Sequence, residues 1–139
     1  MSAEEKRAWI YAVVAVGVSA VYFVTVLSQV PGADVAQIAY VRPMLTAIGA
    51  GIALGIVASI AAAVVSPREA DRTDERDRQI HRLGEYVGFY VMSIAAIVPL
   101  ALTMAGVAHF WIANTLYLAF VLAALASSIV KIVSYRRGI

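Results

Sequence analysis

An all-α, polytopic membrane fold, a four-transmembrane-helix bundle with N and C termini cytoplasmic, is predicted by three features of the chain of 139 residues. The first is composition: 62% of residues are apolar, 14% are charged and mean hydropathy is +0.82, whereas soluble domains carry about a quarter of their residues as charges. The second is charge placement. Residues 68–85 hold eleven charges, and the flanking runs 43–67 and 86–130 hold none. The third is the length of the uncharged runs, since roughly 20 apolar residues cross a hydrocarbon core of about 30 Å.

Taken in order, the spans fall at about 8–30, 43–65, 86–106 and 109–133, in one domain covering 1–139, with a charged loop at 66–85. The first is expected to end near Val30, because Pro31-Gly32 is a turn pair and Asp34 follows. Its length exceeds the apolar core of a cleaved signal peptide, so it reads as a retained anchor. The second is entered through Arg42-Pro43, with proline tolerated in a first helical turn. The run 86–130 would be about 67 Å long as one helix, so it must fold back once. Pro99 would leave too short a first piece. Gly106 can end a helix in the left-handed conformation, and His109-Phe110-Trp111 suits an interfacial belt. Pro99 then becomes a kink inside the third span.

Orientation follows from the basic residues. Ten of eleven Lys and Arg lie before the first span, in the loop or after the last span, and Arg42 alone lies opposite. The positive-inside rule puts the crowded side in the cytoplasm. A multi-pass protein of the cell (plasma) membrane, of prokaryotic type, is the expected setting.

The loop carries helix-start signals, a capping box at Ser66-Pro67-Arg68-Glu69 and Thr73 before Asp74 and Glu75. Ile80, Leu83, Val87, Tyr90 and Ile94 recur every three or four residues, so an apolar stripe is expected to run from the loop into the third span. Pairs such as Asp74 with Arg78 and Arg82 with Glu85 are expected along this helix. A few arginines would fix orientation; the acids are surplus to that task. Arg72, Asp74, Glu75, Arg76, Asp77, Arg78, His81 and Arg82 are therefore the expected docking surface for a cytoplasmic protein partner or a second copy. His81 is its pH-responsive group.

Over 8–30, 43–65, 86–106 and 109–130 there is no Asp, Glu, Lys or Arg, Lys131 falling only at the end of the last span, which disfavours proton-coupled transport and acid-base catalysis. The absence of cysteine removes thiol redox chemistry, and His81 and His109 fall at opposite faces, where they cannot share a haem. No enzyme activity, cofactor or metal is expected, and the net charge of +2 gives no reason to expect direct nucleic-acid binding. Small residues at helical spacing, Gly51, Gly55 and Ser59 on the second span, Gly84 and Gly88 at the start of the third, and Ala119, Ala123 and Ser127 on the fourth, are expected to pack helices closely, within the bundle or in a homodimer. Asn114 is expected to join helices by a side-chain hydrogen bond.

Asp74-Glu75-Arg76-Asp77, entering a span, and Tyr135-Arg136-Arg137-Gly138, just after the last one, resemble an uncharacterised family of small prokaryotic four-helix integral membrane proteins often encoded beside helix-turn-helix regulators. The resemblance covers mainly residues 70–139. It implies a membrane component that binds or sequesters a regulator, and it brings no catalytic residues. Two functions are thus expected to compete: a non-enzymatic scaffold or sensor in contact with membrane lipid and a cytoplasmic partner, and a small-solute or ion channel or carrier working as a homo-oligomer.

Overall fold

The computed structural model describes residues 3–32, 34, 37–65 and 75–138. It is all-helical there: α1 (Ala3–Leu27), a short 3₁₀ turn (Val30–Gly32), α2 (Val41–Val65), α3 (Glu75–Ala95), α4 (Ile97–Met104) and α5 (His109–Arg137). Four helical segments, with α3 and α4 forming one of them, are long and apolar enough to cross a membrane. Their outer surface is apolar: Val24 is 71% exposed, Val64 73% and Met104 76%. A water-soluble fold of this size covers such side chains, whereas lipid solvates them.

Local chemistry explains where the helices end. α1 stops at Leu27, three residues before the expected Val30. Ser28 Oγ and Gln29 Nε2 both donate to the Thr25 carbonyl, the acceptor the Gln29 N–H would use in an α-helix. The Gln29 N–H turns to Val26 instead, and the chain tightens into 3₁₀ geometry. α2 begins at Val41, so Pro43 sits in its first turn, where an N–H has no intrahelical acceptor. The third span is interrupted for one residue at Ala96. Pro99, with no N–H, leaves the Ala95 carbonyl without its helical donor.

The return after α4 is made by Gly106 at φ +74°. Its N–H bonds the Thr103 carbonyl at 3.1 Å, and the Val107 N–H bonds the Leu102 carbonyl at 3.3 Å. These are the two bonds of a Schellman cap. Gly138, at φ +72°, closes α5 with its N–H on Ser134.

α5 is the centre of the bundle, packed on α3, α1 and α4, while α2 leans on α1. The long helices thus follow an arc, α2, α1, α5, α3. Among the described residues α2 and α3 do not meet as packing neighbours, so the arc stays open along one side. One end is locked by an apolar cluster of Tyr22, Val26, Ile38, Ala47, Phe110 and Tyr117. There Tyr22 donates to Asn114 Oδ1 at 2.5 Å, and Asn114 Nδ2 donates to the Phe110 carbonyl at 2.7 Å.

The α3 packing face differs from the expected stripe. Ile80 is buried, but Leu83, Tyr90 and Ile94 are exposed, and the buried residues are Asp77, Ile80, Gly84 and Gly88. A Cβ built on Gly88 would lie 3.3 Å from the Ala123 carbonyl oxygen and 3.3 Å from Ser127 Cβ, and one built on Gly84 would lie 2.6 Å from Lys131 Cε. Lipid is as apolar as leucine, so bulky side chains gain little by turning inward, and small ones let backbones approach.

Candidate functional site

The charged residues converge at the end of the bundle opposite the aromatic cluster. The start of α1, the first three turns of α3 and the last turns of α5 meet there. Glu85 pairs with Lys131 at 2.9 Å, and Arg136 pairs with Glu5 at 2.9 Å. Tyr135 donates its hydroxyl to Asp77. Arg76 Nη2 donates to the Ser134 and Tyr135 carbonyls at 3.4 and 3.3 Å, and its guanidinium lies 5.4 Å from the Tyr135 ring centre. The C-terminal carbonyls of a helix carry partial negative charge, so Arg76 is well placed against the end of α5.

Lys131 belongs to the last turns of a long apolar helix and must bring its ammonium to a polar zone. Its stem passes over Gly84, within 3.1 Å of a Cβ built there at three carbons, and the ammonium reaches Glu85. This is a snorkelling geometry that a side chain at position 84 would obstruct. Ser127 Oγ lies 3.4 Å from the same carboxylate.

The expected docking residues divide four ways. Glu75, Arg78 and Arg82 face outward, with Arg78 bound to Glu75 at 3.3 Å. Asp77 does not belong to the outward surface: it is 9% exposed and bonded to Tyr135, because position 77 falls on the α5-facing side of α3. Arg76 is exposed but its guanidinium is held by α5. His81 is exposed and faces the open side of the arc. Arg72 and Asp74, like the capping signals at 66–69 and 73, lie outside the described residues. Glu85, expected to pair with Arg82, pairs across the bundle with Lys131, and Arg78 takes Glu75 as its partner.

Of the small residues, Gly55 meets the Tyr11 ring at 3.1 Å from an added Cβ, and Ser59 Oγ donates to the Tyr11 hydroxyl at 3.4 Å. Both therefore seat α2 on α1. Gly51 has open space beside it. Glu5, Tyr11 and Tyr22 carry no local signal in the sequence, and neither does the pairing of Tyr135 with Asp77. The signal for Tyr135 itself was available, as an aromatic one turn beyond Lys131 opposite a helix start rich in Asp and Arg.

Two cavities adjoin the charged end. A small one of about 180 Å³ lies among Glu4, Arg7, Asp77, His81, Lys131 and Tyr135. A larger groove of about 1070 Å³ runs between α2 and α3 with α1 and α5 as its floor. His81, Glu85 and Lys131 stand at its charged end with Ser127 and Ser128, and most of its other lining is apolar. Among the described residues, no three His, Asp or Glu side chains come together as a metal site. The hydroxyls of Ser19, Thr25, Ser93, Thr103 and Thr115 bond carbonyls of their own helices, as hydroxyls in lipid do. Comparison with protein-family models, curated proteins and solved structures returns no match for this chain.

Proposed function

We propose that this chain is a non-enzymatic scaffold or sensor of a prokaryotic cell membrane, with its charged end in the cytoplasm, where it docks a soluble protein partner. Cytoplasmic placement rests on the ten basic residues that belong to that side. The resemblance of residues 74–77 and 135–138 to a family encoded beside helix-turn-helix regulators supplies the partner class, a transcriptional regulator.

One observation carries the reading. The first turns of α3 are clamped to α5 by Asp77 and Arg76, and the opposite side presents Glu75, Arg78 and Arg82 outward. A fixed helix with a mixed-charge outer side gives a partner a defined register, and charge pattern governs partner choice and association rate more than raw affinity. The hydroxyls committed to their own helix carbonyls favour this role over a polar pore.

The test is crosslinking in cells from photoreactive residues placed at Gln79, comparing wild type with Arg78→Gln/Arg82→Gln and with Arg42→Gln as a control at the other end. The expected result is loss of a specific crosslinked band in the double variant, its retention in the control, and a band that weakens with added salt in isolated membranes. Identical bands in all three proteins overturn the docking role.

A further inference from the structure

We infer that the groove between α2 and α3 binds one glycerophospholipid whose zwitterionic head carries a primary ammonium, with the head on Glu85, His81 and Lys131 and an acyl chain along the apolar walls. The groove volume, about 1070 Å³, lies just above the roughly 300–1,000 Å³ range of sites that take a single drug-sized ligand. From Lys131 to Tyr117, both of which line it, α5 advances about 21 Å at 1.5 Å per residue. One leaflet of a hydrocarbon core of about 30 Å is about 15 Å deep. An acyl chain anchored at the charged mouth therefore stays in contact with Val18, Ile52, Met92 and Val121 through the depth of its leaflet. The far end is blind, because Tyr117 and Ala47 belong to the buried aromatic cluster. The side is open to the bilayer, because α2 and α3 are not packing neighbours among the described residues.

Charge at the mouth selects the head. Glu85 and Lys131 are paired at 2.9 Å and their formal charges cancel. A net anion on Lys131 would bring a second negative charge beside Glu85, and a net cation would do the converse to Lys131. A phosphate–ammonium zwitterion laid antiparallel to the pair satisfies both. Its phosphate accepts from Lys131 Nζ, with the His81 ring at the same mouth, and its ammonium donates to Glu85, whose side chain is 61% exposed. A trimethylated ammonium has no N–H to donate, and a glycerol head has no cation at all. Basic pockets between spans at the cytoplasmic side are recognised lipid sites; here the carboxylate changes the preferred head from anionic to zwitterionic.

The experiment is native mass spectrometry of the full chain, released from nanodiscs containing equal amounts of phosphatidylethanolamine, phosphatidylcholine and phosphatidylglycerol with identical acyl chains. The expected result is one phosphatidylethanolamine per chain, retained about tenfold over the other two, the ratio of one charge-assisted hydrogen bond. Gly51→Phe places a ring in the groove at a position where an added Cβ meets nothing within 4 Å, and should abolish retention. Glu85→Gln, at an exposed position, should bring phosphatidylethanolamine and phosphatidylcholine to equal retention. Equal retention of all three lipids by wild type, or undiminished retention by a folded Gly51→Phe protein, overturns the proposal. So does a lipid-free wild-type dimer that Gly51→Phe dissociates, which would make a second copy the occupant.

Discussion

The two ends of the bundle hold the same helices together by different chemistry. At one end, α1 meets α5 through Tyr22, Phe110, Tyr117 and Asn114, all at most 8% exposed. At the other, α1, α3 and α5 meet through Glu5–Arg136, Glu85–Lys131 and Asp77–Tyr135, with half or more of some partners open to solvent. The aromatic end uses packing and a hydrogen bond that no water can replace. The charged end uses contacts that water and salt weaken. The difference implies that the aromatic end contributes most of the stability of the fold, and that the contacts of the charged end are the ones that respond to salt.

The largest effect should come from Phe110, which is 1% exposed. Phe110→Ala is expected to cost about 3–5 kcal/mol by cavity formation, read as denaturant-induced unfolding in bicelles. A cost below that of any charged-end variant would break the comparison. Next is Gly84→Leu, which collides with the Lys131 stem; overpacking of this kind costs about 1–3 kcal/mol. Adding Lys131→Ala should restore most of that loss in a double-mutant cycle, and failure of rescue would show that Gly84 is constrained by something other than Lys131. Tyr22→Phe removes the donor to Asn114 and should cost about 1–2 kcal/mol, with Asn114→Ala adding little on top. The smallest effect belongs to Lys131→Met, which keeps the stem and removes the ammonium. Its expected cost is about 0.2–1 kcal/mol, and it should vanish at about 1 M salt, where screening acts within about 3 Å. A Lys131→Met effect indifferent to salt would mean that the charged end is as dry as the aromatic one.

Four spans, the return at Gly106 and a disturbance near Pro99 were legible in the sequence because hydrocarbon thickness, left-handed glycine geometry and the missing proline N–H act locally. The α3 face was not. A 3.6-residue apolar period identifies the buried side only when the other side meets water, and along a span the exposed face is apolar too, as Tyr90 and Ile94 are. Gly84 and Gly88 were legible as small residues, while their partners Lys131, Ala123 and Ser127 required the fold. The same holds for Asp77, whose place on the helix circumference decides between solvent and Tyr135. Glu85 pairs across the bundle because the Lys131 stem, lying over Gly84, carries the ammonium to it, a geometry that i,i+3 spacing within α3 cannot reveal.

Gly84 and Lys131 have an evolutionary corollary. The stem of Lys131 occupies the volume that any side chain at position 84 would need, so position 84 cannot enlarge while that stem stays in place. In related chains, a larger residue at position 84 should be accompanied by a shortened one at position 131, and an intact lysine at 131 by glycine at 84. Loss of that lysine would also release the acidic character of Glu85 from selection. Three positions on two helices should therefore vary as one unit, which gives a signature by which distant relatives of so featureless an apolar sequence could be found.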